Sequence, residues 1–197
     1  MGKIVCLMGR SSSGKDTIYK KLLEQDQVAL RAIVPYTTRP IRAGEVDGVE
    51  YHFTDEEGFQ QLLSQGNVIE DRVYHTCLGM WRYFTVADDM VDLLHYSYVL
   101  IGTLEAYMQM QLFYGAEKVL PVMIELDDGE RLQRALNREK VQDHPKYEEM
   151  CRRFLADAED FSNEKLAGAG IDRTFYNDKV DRCLEEILTY LHDNLKD

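Results

Sequence analysis

The sequence contains no long hydrophobic run. The apolar stretch IVCLM, residues 4–8, stands ahead of the first glycine-rich segment, and no later segment approaches about 18 apolar residues. Runs this short exclude a membrane-spanning helix and a signal peptide, so we expect a cytoplasmic protein that does not associate with membranes. Internal repeats and low-complexity tracts are also missing from the sequence.

Positive charge is scarce, because 23 Lys and Arg residues stand against 35 Asp and Glu residues, for a net charge of −12. This deficit argues against broad binding to nucleic acid or anionic membranes, since both require a positive surface. A local arginine cluster can still bind a small anion. The cysteines Cys6, Cys77, Cys151 and Cys183 are far apart and form no CxxC pair, so we expect reduced thiols and no zinc site.

A length of 197 residues fits one domain, and its strand-like and helical patterns alternate. This alternation predicts an α/β fold, with a central parallel sheet covered by helices on both faces. One of the predicted helices is Val86–Tyr96. We predict a core of residues 1–34, 86–126 and 165–197. Residues 35–85, rich in turn formers and short strands, are predicted to be an inserted subdomain, and residues 127–164 a helical lid and the helix after it.

The segment GRSSSGKDT follows a predicted strand, precedes a predicted helix and fits the phosphate-loop pattern G-x-x-x-x-G-K. Its glycines allow backbone amides to point inward, and the N-terminus of the following helix attracts phosphates. The lysine supplies a mobile cation for the β- and γ-phosphates. The alternative is a Ser/Gly turn that only joins strand to helix. We predict a nucleotide site formed by Gly9, Arg10, Ser11, Ser12, Ser13, Gly14, Lys15, Asp16 and Thr17. The loop itself does not encode which nucleotide binds.

Asp16 stands where this pattern usually has a serine or threonine that contacts magnesium. The carboxylate of Asp16 is a suitable Mg²⁺ ligand, directly or through water. Thr17 is an alternative source of the hydroxyl ligand if the helix begins slightly later. A third interpretation is that Asp16 only stabilises the N-terminus of the helix.

A second segment, YTTRPIRAGEVDGVEYHF, carries two arginines three residues apart, Arg39 and Arg42, followed by Tyr51. Two guanidinium groups and a phenol can hold one phosphate through charge-assisted hydrogen bonds. Taken alone, the segment is also compatible with a solvated, arginine-rich turn.

Together these segments resemble the guanylate kinase family, whose acceptor region reads TTR-x-x-R-x-G-E-x-x-G-x-x-Y-x-F. Every fixed position of that pattern is met here by Thr37, Thr38, Arg39, Arg42, Gly44, Glu45, Gly48, Tyr51 and Phe53. The resemblance extends through GNVIED and weakens after Asp71. It implies a P-loop kinase fold and an enzyme that phosphorylates GMP or dGMP with ATP and Mg²⁺. The implied partners are small nucleotides, with the protein a monomer or a homodimer.

The resemblance also implies roles for individual residues. Arg39, Arg42, Glu45 and Tyr51 fall in the region that holds the acceptor monophosphate. Further acceptor residues are Glu70, which matches a glutamate that accepts hydrogen bonds from guanine, with Tyr83 and Thr85. The implied catalytic residues are Lys15, Arg42, Arg134, Arg138 and Arg153, of which Arg134 and Arg138 lie on one helix face. Asn177 matches an asparagine near the adenine of ATP.

Three departures from the family pattern concern the base. Pro35 stands where the family usually has a serine that contacts the base, and Gly102 and Leu104 fall near an expected pair of aspartates. Glu105 replaces one of these carboxylates only if the register shifts. Two alternatives therefore remain. The protein is a kinase for a different monophosphate, or it is a non-catalytic module of the same fold that binds a protein.

Overall fold

A computed structural model describes residues 1–42, 44–76, 79–87 and 91–195. The strands are β1 (Ile4–Gly9), β2 (Arg31–Ala32), β3 (Tyr36–Thr37), β4 (His52–Phe53), β5 (Val68–Thr76), β6 (Gly79–Val86), β7 (Tyr98–Ile101), β8 (Val119–Glu125) and β9 (Thr174–Tyr176). The helices are α1 (Lys15–Leu23), α2 (Glu56–Ser64), α3 (Leu104–Tyr114), α4 (Asp128–Lys140), α5 (Tyr147–Asp160), α6 (Asn163–Gly168) and α7 (Val180–Asn194). None of the helices in these ranges is long and apolar enough to cross a membrane.

The larger sheet has the strand order β2-β7-β1-β8-β9, and each of its strands is parallel to its neighbours. The prediction of a central parallel sheet is therefore confirmed. β1 lies at the centre, with β7 on one side and β8 on the other. Ligands bind outside the carboxyl ends of strands at such a reversal of strand order. The segment that follows β1 is therefore the expected position of a ligand-binding site.

Alternate residues of β1 enter two separate cores, because successive side chains of a strand point to opposite faces. Ile4, Cys6 and Met8 pack in the core that contains residues of α3 and α6. Val5 and Leu7 pack against α1 and α7 on the other face. All five side chains are fully buried. Fully burying an aliphatic side chain contributes about 1.5–3 kcal/mol, so this strand anchors the loop that follows it.

A smaller sheet has the strand order β4-β3-β6-β5, in which β5 and β6 form an antiparallel hairpin. The two threonines of the TTR segment join β3 to β6. The Thr37 hydroxyl donates to the carbonyl of Arg82 (2.8 Å), and the Thr38 hydroxyl accepts from the Arg82 amide (2.9 Å). These bonds fix Arg39 beside Tyr83, the residue after Arg82. The threonines thus have a structural reason to precede the arginine.

The predicted helix Val86–Tyr96 is wrong in its described part. Val86 ends β6, and residues 93–95 form a turn, whereas residues 88–90 lie outside the described ranges. The Asp92 carboxylate accepts from the Leu94 amide (3.0 Å) and contacts His95 Nδ1 (2.6 Å), while its carbonyl accepts from Tyr96 N (3.0 Å). An aspartate that bonds nearby amides stabilises a turn against a helix.

Candidate active site

The phosphate-loop segment connects β1 to α1, as the sequence predicts. Gly14 caps α1 with φ +88°, and a Cβ atom there would collide with the side-chain nitrogen Nδ2 of Asn177. Glycine is therefore required at this position by both its backbone conformation and its surroundings. Ser12 also has a left-handed backbone, with φ +64°. Such strain in a non-glycine residue persists only where the surrounding structure holds it, typically at a functional site.

Asn177 holds the phosphate loop through a hydrogen bond of its side chain. Its side chain is fully buried, and its Nδ2 donates to the Ser13 carbonyl (2.7 Å), while its own amide donates to the Glu125 carbonyl (2.8 Å). The resemblance implies a contact between this residue and ATP. The observed bond adds a second role, because it holds the loop in the shape that Gly14 permits.

Several buried polar atoms of the loop lack a hydrogen-bond partner within the described residues. They are Arg10 Nε, Ser12 Oγ and Ser13 Oγ. A buried donor or acceptor without a partner is unfavourable by about 1–3 kcal/mol. Unpaired groups in a strained loop at the carboxyl end of a parallel strand are characteristic of a site that a polar ligand completes.

The arginine-rich turn between β3 and β4 contains an ion pair whose arginine is almost fully buried. Arg39 is 3% exposed, and its Nη1 and Nη2 atoms donate to the two carboxylate oxygens of Glu45, each at 2.7 Å. This bond to Arg39 is the main reason that the pKa of Glu45 falls to about 2. Glu45 therefore contributes by fixing Arg39. The Arg39 Nε atom is buried and has no partner in the described part of the chain.

Two tyrosines form an aromatic wall next to this pair. Tyr51 and Tyr83 meet edge to face with their ring centroids 5.5 Å apart, and the Arg39 guanidinium lies 5.2 Å from the Tyr51 ring centroid. Arg42 lies on the solvent side of the turn, where its side chain is exposed and its amide donates to Glu45 (2.8 Å). Of the four residues predicted to hold one phosphate, Arg39, Tyr51 and Tyr83 thus come together, whereas Arg42 stays in solvent.

A buried carboxylate occupies the β5–β6 hairpin on the same face as Tyr83. Glu70 lies opposite Thr85 in the hairpin, and the Thr85 hydroxyl donates to Glu70 Oε1 (2.8 Å). Arg72 Nε donates to Glu70 Oε2 (3.2 Å), and the Glu70 side chain is 3% exposed. The sequence predicted Glu70 and Thr85 but missed Arg72, whose position two residues along the same strand was the available signal.

The Glu70 carboxylate lies within electrostatic reach of Cys6 in the central sheet. Burial raises the pKa of the Cys6 thiol to about 12, and the Glu70 carboxylate adds to the increase, while Arg72 opposes it. Glu70 and Arg72 therefore lie within electrostatic reach of β1, the strand that carries the phosphate loop.

Comparison with known proteins agrees with this arrangement. The family model for guanylate kinase matches residues 1–80, which include both the phosphate loop and the acceptor segment. A guanylate kinase from Alkalilimnicola ehrlichii is 31% identical over 186 residues, covering 94% of this chain and 86% of that protein. The chain belongs to the guanylate kinase family. A guanylate kinase from Zymomonas mobilis is 28% identical over 192 residues, covering 96% of this chain and 83% of the relative.

The crystal structure of guanylate kinase from Anaplasma phagocytophilum has the same fold. It aligns with a TM-score of 0.68 at 24% identity, covering all of this chain and 87% of that one. The predicted P-loop kinase fold of the guanylate kinase family is confirmed by this agreement.

The arginines that the family resemblance places on the lid occupy different environments. Arg134 is partly buried, and its Nη1 lies 3.6 Å from the position of a Cβ atom on Gly14, so it is beside the phosphate loop. Arg138, one turn further along α4, is exposed. Arg153 on α5 is also exposed, and its Nε donates to Glu149 on its own helix (2.9 Å). The structure thus brings Arg134 to the loop and leaves Arg138 and Arg153 in solvent.

Two residues that differ from the family pattern near the base, Gly102 and Leu104, have physical explanations. A Cβ atom on Gly102 would lie 2.9 Å from Cys6 Sγ, so a larger side chain does not fit there without a shift. Leu104 is buried in the core, and the hydroxyl of the intervening Thr103 caps α3 by accepting from Ala106 N (3.2 Å). Glu105 is exposed in the first turn of α3. Glu70 is therefore the buried carboxylate of this region.

Proposed function

We propose that this protein transfers the γ-phosphoryl group of ATP to GMP or dGMP, which yields GDP or dGDP. A single observation carries the proposal. A buried carboxylate that accepts from Thr85 and Arg72 lies on the same hairpin face as the tyrosine next to Arg39. This combination offers acceptor oxygens to a base and cationic donors to a phosphate. Family membership supports the same reaction.

On the donor side, the phosphate loop would hold the polyphosphate of ATP. Its backbone amides and the N-terminus of α1 favour anions, and Lys15 is the first residue of that helix. A cavity of about 230 Å³ adjoins the loop and is lined in part by Arg10, Asn163 and Tyr176. This cavity is a candidate site for the adenine and ribose of the donor.

On the acceptor side, the buried Arg39 Nε and the hydroxyl groups of Tyr51 and Tyr83 are candidate donors to the monophosphate. Arg42 would join them from solvent as the nucleotide binds. The Glu70 carboxylate is suited to accept from the ring N–H and amino groups of guanine. An adenine lacks a proton at the equivalent ring nitrogen, so this carboxylate would favour guanine.

Phosphoryl transfer depends on positioning and charge stabilisation more than on covalent chemistry. Lys15 and Arg134 would stabilise negative charge on the transferred group, because both are associated with the phosphate loop. Arg138 and Arg153 would reach it only when α4 and α5 close over the nucleotides. Closure would also exclude water, which competes with the acceptor for the phosphoryl group.

The family resemblance implies Mg²⁺, and the donor set of this chain fits it. Asp16 and Thr17 are both exposed in the first turn of α1, next to Lys15. Mg²⁺ binds to proteins through one or two oxygen ligands and completes its coordination with substrate phosphates and water. When bound, the ion supplies positive charge to the donor phosphates. A cytoplasmic location stays a prediction from the sequence.

Arg72 favours one alternative function, a kinase for a different monophosphate. Its guanidinium adds hydrogen-bond donors to a base site that the sequence predicted to be formed by Glu70 and Thr85. A base that presents more acceptor groups on its pairing edge than guanine does would benefit from them. The alternative therefore concerns the acceptor base and leaves the reaction type unchanged.

A panel of nucleoside monophosphates distinguishes these functions. With ATP and Mg²⁺ present, we expect ADP formation to be fastest with GMP and dGMP and at least about 10²-fold slower with AMP, CMP and UMP. A coupled ADP assay provides the measurement. Preference for another base would select the alternative acceptor. Turnover with none of the nucleotides, despite ATP binding, would contradict the enzymatic function.

Replacing Arg42 by alanine tests the phosphate half of the acceptor site. We expect the KM for GMP to rise about tenfold or more, because a charge-assisted bond to the phosphate is lost, while ATP affinity changes little. Ile41→Ala is the control, since Ile41 is the exposed neighbour of Arg42 in the same turn. If Arg42→Ala weakened the binding of GMP and of ATP equally, Arg42 would not be a specific contact of the acceptor phosphate.

A further inference from the structure

Arg131 is a charged residue in an almost completely buried position. It lies on α4, is 1% exposed, and is the largest of the fully buried side chains in the described residues. A guanidinium remains charged at all physiological pH values, and burying it is strongly unfavourable unless other groups pair with it. Neither the predicted lid arginines nor the predicted ATP site includes this residue.

Four groups, from α4, α5 and the phosphate loop, surround the Arg131 guanidinium. Asp128 Oδ1 accepts from its Nε (3.1 Å) and Nη2 (2.7 Å), and the Ser11 carbonyl accepts from its Nη1 (3.1 Å). Asp157 Oδ2 on α5 lies 3.6 Å from the same Nη1. The Phe154 ring covers the guanidinium at 4.7 Å. The buried charge thus joins the phosphate loop to α4 and α5.

Asp157 completes this arrangement from the other side of Ser11. Its Oδ2 accepts from the Ser11 amide (2.7 Å), so both backbone polar groups of Ser11 are held by the Arg131–Asp157 pair. The preceding residue is held as well, because Arg10 Nη2 donates to the Phe161 carbonyl (2.8 Å). The following residue is Ser12, whose backbone is in the left-handed conformation.

We propose that Arg131 and Asp157 are positioning residues that hold the phosphate loop in the conformation that binds the polyphosphate of the donor. A loop with a strained residue keeps its shape only if its neighbours are fixed, and the pair fixes the residue immediately before Ser12. Amides held in place before the ligand arrives bind it without an ordering cost. The inference rests on the proposed function, since it assigns the pair to the donor half of that site.

The pair also explains how α5 is connected to the loop. Asp157 is separated from Ser11 by 146 residues in the chain, yet it bonds directly to the loop backbone. Arg153, one turn earlier on α5, is exposed and is a predicted lid residue. The Arg131–Asp157 pair therefore fixes the end of α5 that adjoins the loop, while the exposed part of this helix carries the predicted lid arginine.

Direct titration of the full-length protein with ATP and with ADP, without acceptor, tests the proposed role of the Arg131–Asp157 pair. We use Asp157→Ala, which removes the acceptor of the Ser11 amide, Asp157→Asn, which keeps an acceptor oxygen but removes the charge, and Arg131→Met. Arg182→Met on α7 is the matched control, because Arg182 is an exposed arginine with two carboxylate partners. Thermal unfolding of each variant is measured in parallel.

We expect Asp157→Ala and Arg131→Met to weaken ATP and ADP binding about tenfold or more, with Asp157→Asn intermediate and Arg182→Met unchanged. The KM for GMP should stay within about twofold. The double variant should lose no more ATP affinity than the worse single variant, because both residues hold one loop segment. If Arg131→Met does not fold, the two Asp157 variants decide the result.

Unchanged ATP affinity in folded Asp157→Ala, whatever its thermal stability, would overturn the inference and assign the pair a purely structural role. Equal losses of ATP and GMP affinity would overturn it too, since the effect of the Arg131–Asp157 pair would then not be specific to the donor half of the site. These outcomes leave the proposed function intact. Failure of the unsubstituted protein to bind ATP would instead contradict the proposed function itself.

Discussion

Lys15→Met is expected to lower kcat about 10³-fold, because Lys15 is the flexible cation at the junction of the phosphate loop and α1. Removing one preorganised donor from the site of developing charge reduces kcat by roughly 10²–10³-fold in other enzymes. The expected loss is at the upper end of this range because Lys15 is a full charge. Methionine keeps the length and flexibility of the side chain, so the change is mainly electrostatic. Steady-state kinetics with saturating ATP and GMP provide the measurement.

Lys20→Met is the matched control for this variant. Lys20 lies on the same helix and is exposed near its C-terminal end, so its removal takes away the same charge without touching the loop. We expect its kcat to stay within about twofold of the unsubstituted protein, as for most surface substitutions. A Lys15→Met enzyme with near-normal kcat would mean that the loop does not bind the transferred phosphate, and the donor site would have to be sought elsewhere.

The parts of the candidate site whose geometry agrees with the sequence patterns are contiguous in the chain. The phosphate loop follows a strand pattern directly and precedes a helical pattern, and the structure has β1, the loop and α1 in that order. The acceptor turn is similarly local, because Arg39 and its partner Glu45 are six residues apart. Local patterns of this kind determine turn and loop geometry without information from the rest of the fold.

The parts that the sequence did not predict depend on contacts between distant residues. The bond from Arg131 to the Ser11 carbonyl spans 120 residues, and no periodicity distinguishes this buried arginine from the less buried arginines of α4. The same limit applies to the turn at Asp92. Its helical periodicity is real, but the carboxylate bonds the local backbone, and the Tyr98 hydroxyl accepts from the Asp92 amide (2.9 Å).

The role of Glu45 shows an intermediate case. The family pattern includes Glu45 in the acceptor region, and in the structure its carboxylate is bonded at two points by Arg39. A motif records which residues are needed and not what each one contacts. Only the geometry of the folded turn separates the residue that would contact the phosphate from the residue that positions it.

Glu70→Gln is expected to reduce the preference for GMP over AMP, measured as the ratio of their kcat/KM values, by about 10²-fold. Sites that hydrogen-bond a substrate group discriminate strongly, since the wrong substrate leaves buried polar groups unpaired. Glutamine has the same size but only one acceptor oxygen, and its NH2 group would face the N–H groups of guanine. The Arg72 guanidinium would also lose its charged partner in the hairpin.

Asp71→Asn is the control for this substitution, because Asp71 is the next residue of β5 and points to the opposite face. Its carboxylate pairs with Arg82 (2.6 Å), which also bonds Glu56 and so joins the hairpin to α2. Asp71→Asn therefore removes one charge from the same strand at a distance from the base, and the GMP to AMP ratio should not change.

Arg72→Met then separates the two acceptor hypotheses. If guanine is the natural base, Arg72 acts by holding the Glu70 carboxylate against Thr85, and its loss should lower kcat/KM for GMP about tenfold without favouring another base. If the natural acceptor is a base richer in hydrogen-bond acceptors, Arg72 contacts that base directly. Arg72→Met would then abolish activity with that nucleotide and leave the low GMP activity unchanged. The nucleotide whose turnover depends on both Glu70 and Arg72 is the natural acceptor of this site.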